Sequence, residues 1–236
     1  MFSVQRIRQQ ALTVGFDDCG VALAERLDED AAFMDRWVAQ GLHGNMSYLE
    51  RNRAKRYDPR ELVPGATAVV VCVLRYDKCR RDYHRTIKSM LYELDALLQS
   101  NSPVSTSPAQ AVSPLPQHLF CDSAPFLERR WAVKAGLGFI GRNHQFIHHT
   151  FGSMVHLGEI VIDSPIETTE AIDTTDATHR FAATPCAECH LCEEACPTGA
   201  LRNPVWDATR CIAYTTHRCL VCQQACPLNK QCPQNS

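Results

Sequence analysis

A chain of 236 residues with 45% hydrophobic and 21% charged residues is ordinary for a globular protein and has room for one sizeable domain beside a small one. Its net charge of −2 gives no global case for nucleic-acid binding. The N-terminus, MFSVQRIRQQ, has no apolar signal core, and nothing resembles a membrane-spanning run of about 20 apolar residues, so the expectation is a cytoplasmic protein with no membrane partner.

Along the chain, a basic run (Arg51, Arg53, Lys55, Arg56, Arg60) comes first and reads as a solvated face. Ala66 to Leu74 is a continuous apolar, β-branched run after Pro64-Gly65, the pattern of a strand buried on both faces. A second basic run follows, from Arg75 to Lys88. Ile87, Met90, Leu91, Leu94, Leu97 and Leu98 then recur at helical spacing. Ser100 to Pro116, with four prolines and five serines, predicts a loop. His118 to Cys121 and His156 to Ile162 predict strands, and Phe126 to Ala135 a helix that begins after Ser123 and Pro125 and stops at Gly136. Thr168 to Thr178 lacks hydrophobic periodicity and predicts a linker or exposed loop. Alternating strands and helices argue for an α/β (α+β) layer fold, in which the pattern leaves parallel or mixed pairing open. A boundary near Thr184 and Pro185 divides residues 1–182 from a short, cysteine-punctuated segment, 183–236.

Asp122 follows a predicted strand and precedes a predicted helix, where loop residues of layered folds face ligands. It is a candidate acid, and Asp122 or Ser123 is equally a candidate helix cap with Pro125 at the first helical position. Gly136-Leu137-Gly138-Phe139-Ile140-Gly141 matches GxGxxG, but it follows a helix instead of a strand, which disfavours a dinucleotide. Three glycines still imply close backbone approach, either to another chain segment or to a large flat ligand. His144, His148 and His149 have no convergent ligand partners in sequence and read as ordinary surface or core histidines. Cys72 reads as a small core residue, while Cys121, beside Asp122, is the scattered cysteine with chemical interest.

Eight of the nine cysteines in the closing segment, all but Cys232, stand as Cys186-x2-Cys189-x2-Cys192-x3-Cys196-Pro197, then Cys211, then Cys219-x2-Cys222-x3-Cys226-Pro227. That spacing wraps two iron-sulfur clusters. In the bacterial ferredoxin arrangement the cysteine before proline ligates the other cluster. Cys186, Cys189, Cys192 and Cys226 would then hold one 4Fe-4S cluster, and Cys196, Cys211, Cys219 and Cys222 the second. A zinc site uses four ligands, usually as two pairs, and leaves this excess unexplained. Disulfides would require an oxidising compartment.

Taken together these residues resemble the epoxyqueuosine reductase family, cobalamin-dependent iron-sulfur enzymes of tRNA modification. The resemblance rests on Gly41-Leu42-His43-Gly44-Asn45-Met46, Asp58-Pro59-Arg60-Glu61-Leu62-Val63-Pro64-Gly65, Arg81-Asp82-Tyr83-His84, Asp122-Ser123-Ala124-Pro125, Lys134 to Asn143, Gly152-Ser153, Leu157-Gly158-Glu159-Ile160 and the cysteine runs with Arg210-Cys211-Ile212-Ala213-Tyr214. It implies an N-terminal mixed-sheet cobalamin-binding domain against a small ferredoxin-like domain. The implied reaction is reduction of epoxyqueuosine to queuosine in tRNA, by a monomer drawing on an external low-potential electron donor. It also implies that Asp122 is the proton donor, its pKa raised by burial, and that Tyr83, His84, Ser123, Ala124, Gly136, Gly138, Gly141 and Asn143 line the cobalamin pocket.

Two departures stand on the substrate side. Only seven residues separate Cys211 from Cys219, and the chain stops ten residues after Cys226, where family members usually continue into a helical-repeat domain. A related reductase of another substrate, or a non-catalytic iron-sulfur carrier, are the alternatives. A carrier gives no reason for Asp122 and the glycine-rich loop to occur together.

Overall fold

The computed structural model describes residues 2–79, 82–100, 118–167, 184–202, 205–216 and 219–229. The predicted loops at 101–116 and 168–178 lie outside them, as do Arg80, Arg81 and Cys232.

The chain opens with β1 (Phe2–Ser3), α1 (Val4–Val14), β2 (Asp18–Leu23), α2 (Asp28–Ala39), α3 (Arg53–Tyr57) and β3 (Ala68–Arg75). It continues through α4 (Tyr83–Ser100), β4 (Leu119–Phe120), α5 (Glu128–Lys134), β5 (Gly138–Ile140), β6 (Phe146–His148), β7 (Val155–Ile162) and β8 (Ile166–Glu167). The cysteine-bearing segment holds α6 (Leu191–Glu194), β9 (Leu201–Arg202), β10 (Val205–Trp206), α7 (Ile212–Thr216) and α8 (Val221–Gln224).

The fold is α+β. Its main sheet runs β2-β3-β7-β4, and every pairing in it is antiparallel. The parallel pair β1-β8 is a separate ribbon, so the mixed character expected of the domain does not enter the main sheet. The long apolar run reads as predicted for a physical reason. Ala68, Val70, Cys72 and Leu74 point into one core with Ile7, Ile87, Leu91 and Leu94 of α1 and α4. Val69, Val71 and Val73 point into a second core with Phe126, Trp131 and Leu137 from the α5 side. Both faces of β3 are therefore dry, and each buried aliphatic side chain contributes about 1.5–3 kcal/mol. At Gly158 on β7, α4 lies so close that a methyl group would meet Ile87 at 2.5 Å.

The helix after Asp122 starts later than predicted, at Glu128, and its cap position, Leu127, makes no side-chain capping bond. Neither Asp122 nor Ser123 caps it; the Ser123 hydroxyl instead accepts the Cys121 N–H at 3.4 Å. Phe126 stacks between Phe120 and Trp131, which draws the preceding chain into the core before helical geometry can begin. Of the first basic run, Arg53 pairs with Asp35, Arg60 pairs with Asp58, and Arg56 turns inward to donate to the carbonyls of Tyr48, Leu49 and Arg51. Arg56 is thus a buried loop organiser, not part of a solvated face.

Candidate active site and cluster sites

Asp122 occupies the turn between β4 and α5 at φ +50°, a left-handed conformation that aspartate tolerates better than most residues. Its carboxylate accepts the Tyr83 hydroxyl at 2.6 Å, and His84 Nε2 lies 3.7 Å away. Tyr83 and His84 come from the first turn of α4 and stack on each other at 3.9 Å. The stack continues through His156, at 4.0 Å, to Tyr76, at 4.2 Å, whose hydroxyl reaches Gln223 of α8. A ladder of four rings thus runs from Asp122 to the cysteine-bearing segment.

Half of the Asp122 side chain is exposed. Burial raises its pKa, but the bonds from Tyr83 and Glu128 and the fields of His84 and Arg129 outweigh burial and hold it below the usual carboxylate value. The expectation of an Asp122 that holds its proton through burial is therefore corrected for this arrangement. Two carboxyls beside it are shifted the other way, Glu128 on the same cavity wall and Glu159 in the core. Glu128 Oε1 accepts the Asp122 N–H at 2.5 Å, and its own pKa is pushed up to about 8 by burial and then by Asp122. Glu159, fully buried in β7, is pushed well up by burial and then by Glu128. Burial also lowers His156 to about 4 and raises Cys121 well above the ordinary thiol value, so Cys121 is an inert core thiol.

Asp122, Ser123 and Ala124 line a cavity of about 650 Å³. Trp37 and Trp206 form another wall, stacked at 5.6 Å and 12°, with Trp37 Nε1 donating to the Trp206 carbonyl. Because Trp206 belongs to β10, both parts of the chain build this cavity. Gly136, Gly138, Gly141 and Asn143 are not around it. A methyl group on Gly138 would strike the Ile147 carbonyl at 2.1 Å, and one on Gly141 the Ile147 side chain at 2.4 Å. Those glycines let β5 and β6 close into a hairpin, so the segment they approach is protein.

Asn143 lies instead at a smaller cavity, shared with Arg142, Ile147 and all four cysteines of the first expected set: Cys186, Cys189, Cys192 and Cys226. Cys211, Cys219 and Cys196 surround Cys222, whose thiol is pushed up to about 11 by burial and then by those neighbours. Among the described residues no three histidine, cysteine, aspartate or glutamate side chains converge tightly enough for a single metal ion. Two sets of four thiols, one gathered at a single cavity and the other around Cys222, suit the donor chemistry of iron-sulfur clusters, which take thiolates.

Arg142 joins the two parts, donating to the carbonyls of Cys186 and Ala187 and pairing with Glu193 at 3.2 Å. Nearby, His148 accepts the N–H groups of Thr150 and Phe151 at Nδ1, which places its proton on Nε2, facing Asp18 at 3.1 Å. His148 is a structural histidine, as its sequence context indicated.

An epoxyqueuosine reductase of Cyclobacterium marinum is 32% identical over 263 residues, an alignment covering 96% of this chain and 79% of the relative. The chain belongs to the epoxyqueuosine reductase family. A solved epoxyqueuosine reductase with an epoxyqueuosine-modified tRNA-Tyr stem loop superposes at TM-score 0.77 and 25% identity, over 96% of this chain and 65% of that one. Another, from Bacillus subtilis with an aspartate catalytic loop swung out of the active site, gives 0.70 at 25% identity, again over 96% and 65%. This chain thus spans about two thirds of the length of these solved epoxyqueuosine reductases. No family model matches the chain.

Within this epoxyqueuosine reductase-family chain, the residues alone did not single out Glu128, Glu159, Trp37, Trp206 or Arg142. Glu159 carried a signal, as a lone carboxylate in an otherwise apolar strand (VHLGEIVI). The tryptophans carried none, because only the fold brings residues 37 and 206 together.

Proposed function

We propose that this protein reduces epoxyqueuosine to queuosine in tRNA, with Asp122 as the acid that receives and passes on protons at the substrate oxygen. The observation that carries this reading is the position of Asp122: a strained, half-exposed carboxylate at the rim of a cavity walled by both the sheet domain and the cysteine-bearing segment. Cobalamin and two 4Fe-4S clusters would supply the reducing electrons. Ser123, Ala124, Trp37 and Trp206 would hold the flat cofactor, and the eight cysteines the clusters, in the two sets above.

The chain's own residues then have separable tasks. Tyr83 and His84 fix the Asp122 carboxylate by a hydrogen bond and a nearby imidazole. Trp37 and Trp206 exclude water from one side of the cavity, which strengthens every polar contact inside it. Arg142 fixes the Cys186 loop against the β5-β6 hairpin, and so sets the distance between the clusters and the cavity. Asp122 must be loaded with a proton before the epoxide oxygen can leave, since expulsion of an alkoxide is otherwise too costly near neutrality. We place this chemistry in the cytoplasm, in a monomer supplied by an external low-potential donor.

The test is genetic. Expression in a cell that accumulates epoxyqueuosine in its tRNA is expected to restore queuosine. A cell that contains the protein, with its clusters, yet keeps accumulating epoxyqueuosine would overturn the reading.

A further inference from the structure

Converting an epoxide to an alkene and water consumes two electrons and two protons; both C–O bonds break and the oxygen leaves with both protons. Asp122 carries one proton at most, so a full turnover requires that it be recharged or that a second donor act. The structure places two further carboxyls directly behind it. Glu128 opens α5 with its carboxyl within hydrogen-bonding reach of Asp122 and one oxygen on the Asp122 N–H. Glu159 lies in β7, paired with Val71 of β3 and Phe120 of β4, and faces Glu128 from the core side.

Glu159 is 0% exposed, no N–H or hydroxyl group among the described residues bonds its oxygens, and the group within hydrogen-bonding reach of its carboxyl is that of Glu128. A bare carboxylate in that position would cost many kcal/mol, so Glu159 is a neutral acid that holds its proton. The groups facing the three carboxyls include Tyr83 and His84 from α4, Arg129 from α5, His156 from β7, Tyr76 after β3, Cys72 from β3 and Cys121 after β4, with Lys88 acting on Cys121. Arg129 donates to the His144 carbonyl, and its field reaches Asp122 and Glu128 without outweighing the burial of Glu128. Among the described residues neither glutamate is joined to a cation by a salt bridge of 4.0 Å or less.

We infer that Glu128 is the proton store that recharges Asp122: Asp122, loaded from solvent, gives the first proton, Glu128 passes its own to Asp122 for the second and is reprotonated from solvent once product leaves, and Glu159 stays neutral behind it and keeps Glu128 protonated. Both protons that leave as water then pass through Asp122, one loaded from solvent and one from Glu128, while both electrons come from the external donor. This inference rests on the proposed reduction of epoxyqueuosine. Glu128 shares the cavity wall with Asp122 and acts through it, and Glu159 acts through Glu128.

The test uses the full chain, reconstituted with clusters and cobalamin, and an epoxyqueuosine-bearing tRNA stem loop. Glu128→Gln keeps the acceptor for the Asp122 N–H but has no proton to give. It is expected to lower kcat by about tenfold or more at unchanged KM, to abolish the alkaline decline of the kcat profile, and to turn a two-proton solvent-isotope inventory into a one-proton inventory. Glu159→Gln, with Glu159→Leu as the variant that keeps the strand apolar, is expected to lower kcat several-fold and shift that decline. Profiles that superpose on the wild type in both positions would overturn the store.

A second readout needs no turnover. Infrared spectra of the reconstituted chain should show a protonated-carboxyl band at neutral pH that weakens in each variant, and absence of that band in the wild type would also overturn the store. A wild type that shows the band without converting the stem loop would support the store and refute the proposed substrate.

Discussion

Replacing Gly152 by alanine should separate the two halves of the site without touching a cysteine or Asp122. Gly152 has φ +67°, and a methyl group there would lie 2.1 Å from Asn229 Oδ1 and 2.6 Å from the Leu228 carbonyl. Asn229 cannot retreat freely. Its Oδ1 accepts the Ser153 N–H at 2.6 Å, and its Nδ2 donates to the Ser153 hydroxyl at 2.9 Å and to the Gln223 carbonyl at 2.7 Å. Gln223 Nε2 in turn donates to the Ser153 carbonyl at 3.1 Å. Left-handed backbone costs alanine about 1 kcal/mol, and two buried hydrogen bonds left unmade cost about 1.5 kcal/mol each. The expected destabilisation is about 4 kcal/mol, a large share of the roughly 5–15 kcal/mol that holds a typical domain. Denaturant unfolding of the anaerobically reconstituted protein, with iron content measured beside it, reads both consequences, because Cys226 lies next to the displaced segment. A loss below about 1 kcal/mol, with iron content unchanged, would refute this account of how the cysteine-bearing segment is docked.

Asp122→Asn should retain both clusters and the cofactor, yet lower single-turnover conversion about 100-fold or more; unchanged conversion would remove its role as acid. Cys192→Ser should reduce iron per chain and interrupt electron delivery, and a full iron complement with full activity would show that Cys192 is not a ligand. Stability should fall on the alkaline side. Glu128 has its folded pKa raised to about 8 from 4.5, so its contribution is full below about 4.5 and is lost as pH rises through about 8. Asp18 and Asp58 are lowered in the folded state, so their contributions are present above 3.8 and lost only as pH falls below it. Chemical unfolding across this range should show the alkaline decline in the wild type and a flatter curve in Glu128→Gln; parallel curves would contradict the assignment.

Much of this was legible because it was local. The β3 run announced burial on both faces, the leucines of α4 announced its inward stripe, and the cysteine spacings announced two sets of four that the fold brings together. What failed was decided by tertiary contact. Ser123 and Pro125 looked like a helix start, but the aromatic stack of Phe120, Phe126 and Trp131 postpones the helix to Glu128. Two glycines of GxGxxG, Gly138 and Gly141, approach Ile147, while Gly136 instead takes a left-handed turn at φ +73° with open space beside it. Asp122 looked like a carboxyl that burial would keep protonated, whereas the donors around it, from a helix 39 residues earlier in the case of Tyr83, reverse the sign.

The central claim is that this chain removes the epoxide oxygen from the modified nucleoside. The direct measurement is mass analysis of nucleosides from an epoxyqueuosine-bearing tRNA stem loop after anaerobic incubation with the reconstituted protein, cobalamin and a strong reductant. The account predicts loss of one oxygen from the nucleoside, dependent on cobalamin and abolished in Asp122→Asn. An unchanged nucleoside mass, from a protein shown to hold both clusters and cobalamin, would contradict it.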